Sequence, residues 1–334
     1  MRTFNRDTVL IASPHLEVQS GQTTLLQSPH ATYQFTGNAS GIIQNVLPLV
    51  DGYSSLGDIE STTEIPNGTL TAVLGAILPE DLVDISPELY AQTAEQFMSL
   101  YFRVCDDWAR YIFDSPFWNG MLSGQCAPMQ VLGWGVEFYH RTLGADEHNE
   151  TSVRHCDNPE VKDWLVEHFN EEFGHGEMFL RGLVTSGLTA EDVLQSTALP
   201  STRALIDYFN GLAATDTLAY LGCYGVLHSP RGGQTPERIR QQFDKLVAHY
   251  PFAAGMLNAI RDHALLDVDL KHDQIVLERL AATGRVFTGT AGSRIMGAAK
   301  GSVTAFSRYF DGMHRYYGRT EAELIRRSVH RALA

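Results

Sequence analysis

Hydrophobic and polar positions follow two different periods along this chain. Up to about Ile85 the apolar residues come in short runs, "TVLIA", "TTLLQ" and "ATYQF", separated by Ser, Gly, Pro and His, which predicts strands joined by turns. Short helices are expected in the same stretch. "GIIQNVLPLV" is an apolar helical run, Asp51 and Gly52 mark a turn, Ser55 caps a brief second helix, and "GTLTAVLGAI" begins another. From Glu88 onward the period lengthens to that of helices, over 88–113, 128–143, 159–184, 201–228, 236–249, 252–283, 291–317 and 320–333. The pattern predicts a mainly α protein, with a small α/β domain at 1–87 and a helical domain at 88–334.

Composition narrows the class without changing that picture. With 334 residues, 44% of them hydrophobic, the chain can bury a substantial core. Cys105, Cys126, Cys156 and Cys223 show no CxxC spacing, so neither a disulfide framework nor a thiolate metal site is expected. No apolar run is long enough for a membrane span, and the front lacks a basic-then-apolar signal, so the expected location is cytoplasmic. The net charge of −14 repels polyanions and excludes nucleic acid as the expected partner. The front is the most acidic part, with Arg2 and Arg6 its only strong bases before residue 89. A homodimer is compatible with all of this.

The candidate chemistry sits in the helical part. In "HFNEEFGHGEMFLRGL" a helix of the usual pitch puts Glu172 near the centre of the apolar face defined by Val161, Trp164, Leu165, Phe179 and Leu183, with His168 and His175 beside it. These three stand at i, i+4 and i+7, a stripe along which donor atoms can converge, and a bound divalent cation is the simplest compensation for burying them. A second stripe, Ile260, Ala264, Leu266, Leu270 and Leu277, is interrupted by His263 and Asp267 at i and i+4. Alone, that pair could be an imidazole and a carboxylate satisfying each other. Asp269 and His272 share a face with Asn258, Arg261 and Asp262 and read as solvated. "GWGVEFYHR" adds Glu137 and His140 from a third, aromatic helix, although Glu137 is also i, i+4 from Arg141, where a surface ion pair would explain both.

Two resemblances follow from these residues. "LPLVDGYSSLGDI" resembles the signature of small winged-helix domains, related to the pyrroloquinoline-quinone chaperone, that recognise leader peptides of ribosomally made natural products; Leu47, Pro48, Leu49, Asp51, Gly52, Leu56 and Ile59 match. That resemblance implies capture of a precursor peptide by strand addition, whereas a structural cap that binds nothing is the alternative. "HFNEEFGHGEMFLRGL", "HALLD" and "YFDGMHRYYG" resemble helices of the haem-oxygenase-like superfamily, which includes TenA-type enzymes, the quinone synthase and non-haem iron oxidases. Coverage is about residues 90–318.

The second resemblance implies a haem-oxygenase-like helical bundle and a diiron centre. Glu137, Glu172, His175, His263 and Asp267 match its ligands, with His168 and His140 as additions. It implies two Fe(II) per chain and O2 as co-substrate. One departure stands out: Leu270 occupies the place of a second late histidine, so one iron is weakly held, or His168 or His272 substitutes, or the site has degenerated. Combined, the two halves imply an iron oxidase or oxygenase that hydroxylates, desaturates or cleaves a precursor peptide held by its leader. A metal-free enzyme using Cys223 as nucleophile, and a non-catalytic peptide-binding partner, are the alternatives.

Overall fold

The computed structural model describes residues 9–12, 17–19, 23–27, 32–77, 83–85, 93–228, 235–269, 276–284, 287 and 290–327. Within them the chain forms two compact units, one comprising residues 1–111, 221–227 and 277–304, the other 112–220, 228–276 and 305–334.

The first unit contains all six described strands. β2 (Glu17–Gln19), β3 (Thr23–Gln27) and β4 (Thr32–Thr36) form an antiparallel sheet in that order, and β5 (Asp51–Ser55), β1 (Val9–Ala12) and β6 (Val83–Ile85) form a second in the order β5-β1-β6. Three short helices accompany them: α1 (Gly37–Val46), α2 (Leu56–Thr63) and α3 (Asn67–Ile77). The expected turn at Asp51 and Gly52 is therefore a correction. Those residues extend into β5, because pairing with β1 satisfies their backbone. Ser55 caps α2 as expected, in a reciprocal capping box with Asp58.

One core holds this front together. Leu10, Leu26, Ile43, Val46, Leu47, Val50, Leu56, Ile59, Leu70 and Leu74 pack into it from strands and helices alike. Leu47, Leu56 and Ile59 of the leader-domain signature are buried there, so those three positions build the unit rather than face a ligand. A buried polar contact fixes α1 on β3: Thr24 Oγ1 lies 2.7 Å from Ser40 Oγ and accepts from Gln44 Nε2 at 2.7 Å.

The helices that follow are α4 (Ala94–Phe113), α5 (Pro116–Ser123), α6 (Pro128–His155), α7 (Pro159–Glu172), α8 (Gly176–Thr185), α9 (Ala190–Gln195), α10 (Pro200–Thr215), α11 (Thr217–His228), α12 (Pro236–His249), α13 (Ala254–Asp269), α14 (Val276–Ala282) and α15 (Thr290–Tyr317). In the second unit α6 is the central element, packed against α7, α8, α10 and α13, while α13 also packs on α8 and α12. Three of its glycines permit close approach. A Cβ on Gly133 would lie 2.5 Å from the Tyr317 ring, on Gly135 2.0 Å from Met256 Sδ, and on Gly144 2.5 Å from Ile206.

Several expected helices are interrupted, each for a local reason. The run 201–228 breaks at Asp216, whose extended backbone ends α10 and whose carboxylate accepts from the Ala219 amide to start α11. The expected helix 320–333 is absent from 318–327; there Arg326 O accepts from Thr197 N at 2.7 Å and Arg326 Nη1 donates to Ala198 O at 2.8 Å, so tertiary contacts override helix propensity. Residues 270–275, within the expected 252–283, lie outside the described residues. The break inside 159–184 builds the site described next.

Candidate metal centre

α7 ends at Glu172 because the chain turns there. Phe173 is extended, Gly174 has φ +85°, and His175 re-enters helical geometry as the cap residue of α8. The left-handed conformation at Gly174 is cheap for glycine and costly for other residues. The Gly174 amide also faces the Asp146 carboxylate of α6, whose pKa burial raises and that amide lowers. The turn brings Glu172 and His175 to the same point, and α13, packed on α8, adds His263.

The resulting geometry is tight. His175 Nδ1 lies 3.1 Å from Glu172 Oε2 and 3.1 Å from His263 Nε2, and His263 Nε2 lies 3.6 Å from Glu172 Oε2. A circle through three atoms so spaced has a radius of about 1.9 Å, just inside the roughly 2.0–2.2 Å of ordinary nitrogen and oxygen metal bonds. One divalent cation can therefore touch all three with little rearrangement. Without it, two ring nitrogens and a carboxylate oxygen crowd together and a proton must lie between them.

His263 is the group prepared for that proton. Burial pulls its affinity down, but the hydrogen bonds and charges of Asp267 and Glu172 outweigh burial and hold its pKa at about 9. Asp267 Oδ2 stands 3.3 Å from His263 Nδ1, on the side of the ring away from the cluster. A carboxylate behind a ligating imidazole fixes its tautomer and orientation. The side chains of Glu172, His175 and His263 are 12, 13 and 15% exposed, so the centre is sheltered yet reachable by a small molecule.

Among the described residues Glu172, His175 and His263 are the one such set of three donors. His168 is not one of the three grouped donors; it lies near His148, where burial first and His168 second push the His148 pKa down to about 3 while Glu172 acts in the opposite sense. Its expected alignment with His175 depended on an unbroken helix, and the chain turns at Gly174 between the two. His140 donates from Nε2 to Ser196 Oγ at 2.8 Å, since that hydroxyl gives its own proton to Val193 O; burial and then Arg326 lower the His140 pKa to about 4. Leu270 and His272 lie outside the described residues, and Asp269 is the last residue of α13.

Glu137 is fully buried and already engaged. Oε2 accepts from the Leu199 amide at 3.0 Å and the Thr202 hydroxyl at 2.5 Å, and Oε1 accepts from Tyr317 at 2.8 Å. Burial raises its pKa against these three bonds. It ties α6 to α10 and α15, and it is not part of the three-donor cluster. The surface-pair alternative for Glu137 and Arg141 does not hold, because Glu137 is buried and Arg141 lies over the Phe138 ring at 4.2 Å. Sequence reasoning missed Asp146, beside the turn at Gly174. The "FGHG" glycines were the available signal for the turn. Cys223 is buried with Sγ 3.8 Å from Ala298 O, a packing position.

Residues 132–284 match a family model described as an iron-containing redox enzyme, and this span includes Glu172, His175 and His263. No curated protein matches the chain. A domain of unknown function with a haem-oxygenase-like fold from Shewanella denitrificans OS217 is similar in structure, with a TM-score of 0.56 and 23% identity over 66% of this chain and 93% of that one. The TenA homologue protein from P. horikoshii OT3 has a TM-score of 0.47 and 16% identity over 64% of this chain and 98% of that one. A TenA homolog from Pseudomonas syringae pv. tomato str. DC3000 has a TM-score of 0.40 and 11% identity over 65% and 92%. No helix among the described residues is long and apolar enough to cross a membrane. The mostly helical chain thus has a haem-oxygenase-like fold, and its segment 132–284, which carries the three-donor cluster, matches an iron-containing redox enzyme family.

Proposed function

We propose that this protein is a non-haem iron oxidase or oxygenase that uses O2, with Glu172, His175 and His263 holding the metal. The observation that carries this reading is the convergence of two imidazoles and one carboxylate within 4.8 Å of one another, the donor set suited to Fe(II) with coordination positions left open. Iron held there would supply one-electron chemistry with O2. The protein's own contribution is to orient: the Gly174 turn presents Glu172 and His175, and Asp267 holds the His263 ring. The expected pair of irons has, among the described residues, one set of three donors to draw on, so the reading is one tightly held iron per chain.

The substrate we propose is a ribosomally made precursor peptide held by its leader at the front of the chain. Support comes from the signature "LPLVDGYSSLGDI" and from the sheet β2-β3-β4, where β4 pairs on one side only among the described residues. Such an edge accepts an added strand, with main-chain hydrogen bonds supplying affinity. The test is anaerobic Fe(II) reconstitution followed by metal analysis and oxygen uptake. About one iron per chain and uptake abolished by His175→Ala are expected. Full oxygen uptake by metal-free protein would end the iron reading. Absence of binding to a precursor peptide encoded beside the gene would end the peptide part alone.

A further inference from the structure

Two polar groups in the second unit lack partners where partners would be expected. Arg141, largely buried on α6, stacks its guanidinium 4.2 Å from the Phe138 ring centre and 5.9 Å from that of Phe306, and makes no hydrogen bond or ion pair among the described residues. The Tyr309 hydroxyl on α15 is buried and has no hydrogen-bond partner among the described residues. Guanidinium carries five N–H donors and does not lose its charge, so leaving it unpaired inside a protein is costly unless a ligand completes it. Glu137, one turn before it, is the obvious counter-ion and is committed elsewhere.

The surroundings connect these groups to the metal donors. Phe138 packs on Phe179 with centroids 4.8 Å apart, and Phe179 packs on the His263 ring at 5.3 Å, so two phenylalanine rings separate Arg141 from His263. Phe306 lies against both Arg141 and Tyr309. Burial lowers the Arg141 pKa, and Tyr309, Asp267 and Glu172 are close enough to oppose that electrostatically. A cation and a hydroxyl donor are thus set among phenylalanine rings near the three-donor cluster.

We propose that Arg141 and Tyr309 anchor a carboxylate carried by the substrate, with Phe138, Phe179 and Phe306 covering an apolar body attached to it. This inference rests on the iron-centre reading above and adds the substrate's chemical class: an organic acid with an apolar or aromatic body. The carboxylate can belong to a small acid or to a peptide's acidic end. Arginine suits the task because its planar fork binds carboxylate with two parallel hydrogen bonds.

The test uses the full chain, metal-free and Fe(II)-loaded under anaerobic conditions, with iron measured in each sample. Calorimetric affinity is compared for phenylacetate against phenylacetamide, and for acetyl-glycyl-phenylalanine against its C-terminal amide. At least one acid should bind about tenfold or more tightly than its amide, and whichever acid binds more tightly identifies the source. Arg141→Gln should abolish that preference and Arg141→Lys should retain part of it. If Arg141→Gln fails to fold, Tyr309→Phe, which removes one hydroxyl, should weaken the acid several-fold and leave the amide unchanged. Equal binding of acid and amide, no binding of either acid at millimolar concentration, or a preference that survives Arg141→Gln and disappears only with the metal would overturn the proposal. A chain that holds no iron but keeps the acid preference would overturn the iron reading and leave the anchor standing.

Discussion

Asp267 Oδ2 lies 3.3 Å from Nδ1 of His263, and through that contact the opposite ring nitrogen, Nε2, is directed at Glu172 and His175. In this geometry Asp267 orients the ring of a proposed metal ligand. Asp267→Asn should therefore weaken Fe(II) binding by about 10- to 100-fold, with the fold intact by circular dichroism. Unchanged affinity would show that His263 holds its orientation unaided.

The same contacts give the metal-free chain a pH signature. His263 has its folded pKa raised to about 9, above its ordinary 6.5, so its contribution to stability is fully present below about pH 6.5 and is lost as pH rises through about 9. Thermal unfolding of the metal-free protein should show a lower Tm at high pH, and His263→Gln should flatten that part of the profile. Metal competes with the same proton, so Fe(II) affinity should climb over the same interval. A Tm that rises from neutral to alkaline pH in wild type and variant alike would contradict this.

Glu137 and the ligand triad make different demands. Glu137→Ala strands the Leu199 amide and the Thr202 and Tyr317 hydroxyls in the interior, which should cost about 2–4 kcal/mol in denaturant unfolding. Iron per folded chain should be unchanged. A halved iron content with little loss of stability would return Glu137 to the role of a ligand.

Gly174 sets the angle between Glu172 and His175. A Cβ there would meet nothing within 4 Å, so Gly174→Ala tests backbone conformation and not crowding. The cost should be about 1–2 kcal/mol from the left-handed φ, and Fe(II) affinity should fall as the turn relaxes. Gly174→Asn should be milder, since asparagine tolerates that region.

Much of the fold was legible because helix and strand periods are local. β1, β3, β4, the Ser55 cap and α12 follow from patterns a few residues long. What the pattern does not carry is where a helix stops for tertiary reasons. Beyond α15, Arg326 is held by bonds to Thr197 and Ala198, and α6 runs to His155 past the expected end at 143. The proposed donors Glu172, His175 and His263 stand out in the sequence by residue type, but their grouping does not. An unbroken helix would have aligned His168 with His175; the Gly174 turn aligns Glu172 and His175 with a histidine from α13. Glu137 resembled a ligand because a buried carboxylate looks the same in sequence whether it binds a cation or three hydrogen-bond donors.

Glu172, His175 and His263 are proposed to hold one iron. The most direct measurement is anomalous diffraction at the iron edge from crystals of Fe(II)-loaded protein. One strong anomalous peak is expected within bonding distance of His175 Nδ1, His263 Nε2 and a Glu172 oxygen, with its loss in His263→Ala. A peak seated on Glu137, or no ordered iron among these three side chains at full loading, would contradict it.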